Sequence, residues 1–282
     1  MHALITRATS FFFFLAAPAV LASPTETLDT APTQQAPAQA PDLLASTTLR
    51  FMTFNIRHGV GRDGVLDLDR TADAIRTANP DVVALQEVDV YFSPRSACKD
   101  QVAELASRLG YYYYFSASLD YPGDLFLCGW ANRRRYGNAI LSRTPIYGGQ
   151  KTSLPSFGNE SRTLLSAYVS INNVTVAVHS THLSHADEAE RQAQAAAGIS
   201  KFNAWGGPGV LGGDFNAEPQ NWTLAPLSNQ LTEAFYLRQG PGGVDLVFSD
   251  LPAANVLDIG EFDNNASDHS ARWADYLIQA VY

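Results

Sequence analysis

The chain has 282 residues, 46% of them hydrophobic and 17% charged, and carries a formal net charge of −9. That balance excludes a fibrous or wholly disordered protein and gives ample length for a sizeable core. It also argues against tight, non-specific adhesion to nucleic acid, which needs a basic surface. A hydrolase that meets nucleic acid through a metal and one local basic patch stays open.

Arg7 precedes an apolar run over residues 11–20. The run is too short to span a bilayer, and Val20-Leu21-Ala22 offers small or modest residues for cleavage. Residues 1–22 therefore read as a secretory signal peptide, with a membrane anchor as the alternative. Residues 23–47 are rich in Pro, Ala, Thr and Gln without apolar periodicity, and read as a disordered linker or pro-segment. The folded domain is expected over residues 48–282, secreted, monomeric and without a transmembrane segment after cleavage.

Alternation over residues 49–56 predicts a strand that ends in Asn55. Leu68, Ala72, Ile75 and Ala78 recur at helical spacing, with Asp67 as the cap and Asn79-Pro80-Asp81 as the stop. The apolar run Val82-Val83-Ala84-Leu85 predicts a short strand ending in Gln86-Glu87. Val102, Leu105, Ala106 and Leu109 mark a second helix, closed by Gly110. Residues 111–115 are aromatic and read as a strand, residues 117–135 as irregular, and residues 136–142 as a strand carrying Asn138. Residues 162–171 and 174–180 alternate like a hairpin about Asn172-Asn173 and run on into Thr181-His182-Leu183. Residues 186–204 are Ala-, Glu- and Gln-rich and predict a helix.

Val210-Leu211 then reads as the end of a buried strand, followed by Gly212-Gly213-Asp214-Phe215-Asn216. The two glycines would let the backbone turn sharply and approach a ligand. Asp214 and Asn216 would share a face if strand geometry persisted. An acid and an amide so placed can accept a proton and donate hydrogen bonds to a phosphate oxygen; an ordinary polar turn is the competing reading. Residues 244–248 form a short strand holding Asp245, and residues 256–261 another. Asp268-His269 sits in a loop before a final strand over residues 271–278. Strands repeatedly end in a polar or ionisable residue, and ligand sites of layered α/β proteins collect at such edges. The strand and helix count fits two sheets packed face to face with helices outside.

Seven motifs together make the set recognisable: Thr53-Phe54-Asn55-Ile56, Leu85-Gln86-Glu87-Val88, Tyr136-Gly137-Asn138-Ala139-Ile140-Leu141-Ser142, Ser180-Thr181-His182-Leu183, Gly213-Asp214-Phe215-Asn216-Ala217, Val244-Asp245-Leu246-Val247-Phe248 and Ser267-Asp268-His269. In this order they resemble the endonuclease/exonuclease/phosphatase superfamily, over residues 49–280. The resemblance implies an α/β fold, a four-layer α/β/β/α sandwich of two mixed β-sheets flanked by helices. It implies a divalent metal, Mg²⁺ with Mn²⁺ as a substitute, and in-line attack of water on a phosphate ester. Carried over residue by residue, Glu87 would be the principal metal ligand, with Asn55 and Asp268 completing the sphere directly or through water. Asp214 and Asn216 would position water and phosphoryl oxygens, His182 would stabilise developing charge, and Asn138 would contact the phosphate. His269 would be general base or phosphate contact, oriented by Asp245; whether His269 or Asp214 takes the proton is left open. These types suit the chemistry: Mg²⁺ takes oxygen ligands and keeps several waters, and a histidine oriented by a carboxylate can move a proton.

The substrate is less legible. Trp130 and the run Arg133-Arg134-Arg135 precede the Asn138 strand and could grip a phosphate or stack a base, or could be a solvated charge run. Arg162 is a second candidate phosphate contact and Arg95 a third. A small or lipid-derived phosphate ester is favoured over nucleic acid; a secreted nuclease resembling deoxyribonuclease I and a non-catalytic binding protein on the same fold are the alternatives. Cys98 and Cys128 are expected to pair in an oxidising compartment. Asn159, Asn173, Asn221 and Asn265 begin Asn-x-Ser/Thr triplets that could carry glycans, with Asn265 expected unused because it abuts Ser267-Asp268-His269. His179 reads as a core histidine, and His58 and His185 as loop residues.

Overall fold

A computed structural model describes residues 46–263 and 265–280. The expected signal peptide, and all of the expected linker except Ser46 and Thr47, lie outside the described residues. Those two residues already belong to β1 (Ser46–Asn55). The chain continues through α1 (Leu68–Ala78), β2 (Val82–Val90), α2 (Gln101–Leu109), β3 (Tyr112–Tyr121), β4 (Arg134–Ser142), β5 (Ile146–Ser153), β6 (Thr163–Ile171), β7 (Val174–His182), α3 (Glu188–Phe202), β8 (Gly209–Asp214), α4 (Ala225–Ser228), β9 (Thr232–Glu233), α5 (Ala234–Gln239), β10 (Asp245–Ser249), β11 (Val256–Phe262) and β12 (Ala271–Gln279).

The strands form two six-stranded sheets, ordered β11-β12-β1-β2-β4-β3 and β5-β6-β7-β8-β10-β9. Both are mixed, with β1–β2 and β7–β8 parallel and the other pairs antiparallel. The sheets pack face to face through a core that joins Leu49, Phe51, Val82, Ala84 and Ile140 of the first to Val176, Val178, Val210 and Val247 of the second. The outer face of the first sheet receives α1 and α2, with Leu68, Ile75, Val102 and Leu105 packed on Met52, Phe54, Val83 and Leu85. The outer face of the second receives α3, with Ala195, Ile199 and Phe202 on Leu211, Leu246 and Phe248. This is the four-layer sandwich.

Local chemistry sets the helix ends. The Asp67 carboxylate accepts from the Arg70 N–H and starts α1, and left-handed Asn79 ends it. Asp187 caps α3 in the same way, through the Glu190 N–H. The β6–β7 hairpin turns on Asn172 and Asn173, both at positive φ, as a two-residue turn of that type requires. Residues 117–135 are less irregular than the sequence suggests, because β3 reaches Tyr121 and β4 starts at Arg134. Strand β5 is an edge strand with Gly148-Gly149 inside it and little alternation, so it carries no period-2 signal. Among the described residues, no helix is long and apolar enough to cross a membrane.

Two glycines behave differently from the sequence reading. Gly212 and Gly213 lie within β8 and do not turn the chain. A Cβ on Gly212 would stand 2.7 Å from the Phe51 ring and 3.2 Å from the Ala84 methyl of the facing sheet. Glycine is needed here because the sheets approach closely.

Candidate active site

Alternation along the strands explains how distant residues meet. On β1, Leu49 and Phe51 face the inter-sheet core; continuing by twos reaches Thr53 and then Asn55 at the strand's end. On β7, Val176 and Val178 lead to Ser180 and His182. On β8, Val210 leads through Gly212 to Asp214, and on β10 Val247 shares its face with Asp245. Each strand carries its polar residue past the apolar core to one edge of the sandwich. His179 has the opposite parity, and packs under α3 against Phe202 and Trp205 with its Nδ1 2.7 Å from Ser166 Oγ. It is a core histidine, as the sequence suggested.

Glu87 breaks the alternation. Val83, Leu85, Val88 and Val90 all face the helices, so the parity changes between Leu85 and Val88, where the pairing with β4 shifts register. Glu87 sits at the bulge with φ 58°, which releases its side chain from the helix-facing set. The Asn55 Nδ2 donates to Glu87 Oε1 at 3.1 Å and to Asp214 Oδ2 at 3.0 Å.

The second half of the site is a histidine between carboxylates. His269 Nδ1 lies 2.8 Å from Asp245 Oδ2, and its Nε2 lies 3.7 Å from Asp214 Oδ2. His182 Nε2 approaches the same Asp214 oxygen at 3.5 Å. Burial pulls the His269 pKa down, but the hydrogen bond to Asp245 and the charges of Asp245, Asp214 and Asp268 outweigh it and raise it to about 9. Burial and the nearby Asp245 charge push Asp214 up to about 6. Burial, with Arg162 and His269 adding, holds His182 well below its ordinary value, so its imidazole is neutral.

Beyond Asp214 the strand geometry stops. Asn216 has φ 50°, its N–H donates to Asp214 Oδ1 at 2.9 Å, and its Nδ2 donates to the Leu183 carbonyl at 3.0 Å. Asp214 and Asn216 thus meet through a tight side-chain turn and not through a shared strand face.

Glu87, His182, Asp214, Asn216 and His269 line one cleft of about 350 Å³, together with Phe92, Arg95, Leu119, Tyr136, Glu160, Arg162 and His185. Asn55 and Asp245 support it through Asp214 and His269, and Asp268 stands beside it, half-exposed, 3.4 Å from Arg57 Nε. Asn138 is buried with its Nδ2 on the Thr163 carbonyl at 2.9 Å, and is not among the cleft-lining residues. A larger recess of about 680 Å³ lies around α4 and α5 and contains none of the motif residues.

The arginines divide. Arg162 is buried in the cleft wall, 2.9 Å from Glu160 and 3.3 Å from His185 Nδ1. Arg133, Arg134 and Arg135 do not line the cleft, contrary to the sequence expectation. Arg133 pairs with Asp120 at 2.8 Å, Arg134 lies over Tyr121, and Arg135 over Phe115. Nearness in sequence misled because each of these side chains is held by a residue of the neighbouring strand β3, away from the cleft. Arg95 lies in the cleft, held by a two-pronged pair with buried Asp89 and placed over Phe92 and Tyr136. Phe92, Leu119, Glu160 and His185 were not anticipated as cleft residues, and His185 had read as a plain loop residue. Only the motif Tyr136-Gly137-Asn138 offered a signal for Tyr136.

The donor set fits a hard divalent cation. Glu87, Asn55 and Asp268 offer oxygen donors without thiolates. Burial raises the Glu87 pKa, and the charges of Asp214 and Asp268 raise it further, a crowding of anions that a cation relieves. The Asn55 amide now presents N–H groups to two carboxylates, while its Oδ1 accepts from the Arg57 N–H at 3.0 Å. Asp214, Asp245 and His269 form a second candidate metal-binding group, with one atom from each within 4.8 Å of the others. Cys98 and Cys128 form a disulfide.

No curated protein sequence matches the chain. Among solved structures, an endonuclease/exonuclease/phosphatase from Beutenbergia cavernae is 26% identical, covers 83% of this chain and 72% of its own, and superposes with a TM-score of 0.66. The truncated Caenorhabditis elegans TDP2 is 21% identical over 81% of this chain and 97% of its own, with a TM-score of 0.59. The human Nocturnin catalytic domain, solved with a bound sulfate anion, is 20% identical over 85% of this chain and 99% of its own, also at 0.59. The last two likenesses speak for the fold. The sequence itself matches the endonuclease/exonuclease/phosphatase family over residues 52–269, and with the motif residues gathered at one edge of the sandwich, the chain belongs to that family.

Proposed function

We propose that the protein is a secreted, Mg²⁺-dependent hydrolase of a small or lipid-derived phosphate ester, acting by in-line attack of water. The observation that carries the reading is the convergence of Glu87, Asn55, Asp214, His182 and the Asp245–His269 pair on one polar cleft. Glu87, with Asn55 and Asp268, would hold the metal, which supplies a Lewis acid for the developing phosphoryl charge. Mn²⁺ would serve in place of Mg²⁺.

The proton roles follow from the two histidines. His269 gives Nδ1 to Asp245 and is held as an imidazolium, so its Nε2 donates and contacts a phosphoryl oxygen. Asp214, poised at about 6, takes the proton from water. Asp214 is thus the proposed proton acceptor, a choice that the motif alone leaves open. Neutral His182 and the Asn216 amide orient the phosphate.

The choice of a small substrate is supported by charge. The net charge is −9, and the run Arg133-Arg134-Arg135 does not reach the cleft, which removes the best candidate for a nucleic-acid track. The signal-like residues 1–22, the disulfide and the Asn-x-Ser/Thr triplets support export, with the folded domain starting near residue 46 and acting as a monomer.

The deciding experiment assays purified protein with Mg²⁺ against bis-p-nitrophenyl phosphate, sphingomyelin, inositol phosphates, plasmid DNA and RNA. Cleavage of a small or lipid ester that is lost with chelator and in Glu87→Gln supports the reading. Cleavage of DNA alone establishes the nuclease alternative, and no cleavage of any of them refutes hydrolase activity.

A further inference from the structure

Tyr136 is one of the cleft residues that none of these roles uses. Alternation on β4 puts it on the same face as Asn138 and Ile140, toward the second sheet, one step nearer the open edge. It stands opposite Asp89 of β2 and Leu119 of β3. Its ring is fixed: the Phe92 ring lies 5.8 Å away, and the Arg95 guanidinium 5.5 Å from its centroid. Arg95 is itself clamped by Asp89.

The side chain is 7% exposed, yet its hydroxyl has no hydrogen-bond partner among the described residues. A buried phenol ordinarily finds one. Tyr111 and Tyr276 do so here, on the carbonyls of Pro80 and Val247. The Tyr136 hydroxyl instead opens on the cleft, within electrostatic reach of Glu87, Glu160, Arg162 and Arg95. Both guanidiniums are engaged by carboxylates, Arg162 by Glu160 and Arg95 by Asp89. The phenol hydroxyl is thus a donor on this wall with no partner among the described residues, open to an acceptor that arrives with a ligand.

We propose that Tyr136 is a catalytic residue whose hydroxyl donates to a non-bridging oxygen of the bound phosphate. The inference rests on the hydrolase reading for its substrate and adds a residue to it. The hydroxyl acts as a neutral donor, because a phenol keeps its proton at working pH. A preorganised donor of this kind strengthens its bond as charge builds on the phosphoryl oxygens.

The test is Tyr136→Phe, which removes one oxygen and keeps the ring against Phe92 and Arg95. With bis-p-nitrophenyl phosphate and Mg²⁺, kcat/KM is expected to fall about 10- to 100-fold, the range for a lost hydrogen bond to a charged group. The affinity for inorganic phosphate, measured by calorimetry on the Mg²⁺-loaded protein, should weaken about tenfold, with Tm unchanged. Activity and phosphate affinity both within twofold of wild type would overturn the proposal. A Tm that fell in step with activity would assign Tyr136 to packing and overturn it as well. If the wild-type protein cleaves nothing, the hydrolase reading fails separately, and the calorimetric comparison still decides whether Tyr136 holds phosphate.

Discussion

Gly212→Ala tests the claim that the sheets touch where β8 passes β1 and β2. The new methyl would lie 2.7 Å from Phe51 Cε1, 3.0 Å from Thr53 Cβ and 3.2 Å from Ala84 Cβ. Carbon contacts become comfortable near 3.5 Å or more, and Phe51 is fully buried between the sheets, so its ring has nowhere to swing. Overpacking of this kind costs about 1–3 kcal/mol. Alanine recovers about 0.5–1 kcal/mol of backbone entropy, because Gly212 has no positive φ to protect. A net loss of about 1–2 kcal/mol follows, or about 2–8 °C in Tm for a domain of this size. The strain should also spread to the cleft, since Asn55 of β1 and Asp214 of β8 touch at 3.0 Å just beyond the contact. Thermal unfolding and kcat should fall together. The control is Gly198→Ala in α3, where an added Cβ meets nothing within 4 Å; it should stabilise by about 0.5–1 kcal/mol. A Gly212→Ala protein as stable as wild type would refute the close approach of the sheets.

Four further outcomes are expected. The pH–rate profile of kcat/KM should be bell-shaped, rising through about 6 as Asp214 ionises and falling through about 9 as His269 loses its proton; activity that climbs steadily to pH 9 would favour a histidine base. His179 is buried with its pKa lowered to about 3, so the unfolded chain binds a proton below about 6.5 that the folded chain refuses, and stability falls as the pH drops. His179→Asn should therefore reduce the slope of stability against pH between 4 and 6 by about 1.4 kcal/mol per pH unit, read by urea unfolding. Arg133→Ala should leave kcat/KM within twofold, because Asp120 holds that side chain away from the cleft, whereas Arg162→Ala should raise KM about tenfold or more on the ester that the wild type hydrolyses. Reduction of the Cys98–Cys128 bond, which closes a loop of sequence separation 30, should destabilise the fold by roughly 3–4 kcal/mol, measured with and without reductant.

The parts of the site that the sequence discloses are those where strand period and motif agree. Asn55, His182 and Asp214 each extend an alternating run whose earlier members are apolar, so a reader counting by twos places them at the same edge as the core ends. The cap of α1 is legible for a similar reason, since a carboxylate three residues ahead of an amide is a local device. What stays hidden is set by contacts between distant segments. Nothing local says that Arg95 belongs to the cleft and Arg133 does not. The difference lies in Asp89 and Asp120, the two acids that hold them, and in which side of a strand each acid occupies.

Glu87 shows the limit most sharply. Counting by twos along Val83 and Leu85 would send it toward the helices, where an ionised carboxylate among Met52, Phe54 and Leu105 would be costly. The chain avoids this by adopting positive φ at Glu87 itself and shifting register against β4 before Val88. A non-glycine residue held in the left-handed region carries strain of order 1–3 kcal/mol and persists only where the surroundings over-determine it. Here Asn55 and the flanking core valines supply that determination. The cost falls on the residue that would hold the metal, in a strand that is otherwise almost wholly buried. Fold stability alone would favour a regular strand with an apolar side chain at position 87. The bulge is therefore a structural sign of function at this edge, independent of the family motif. Glu87→Leu should stabilise the metal-free protein in thermal unfolding while abolishing hydrolysis, whereas a Glu87→Leu protein less stable than wild type would show that the bulge serves the fold itself.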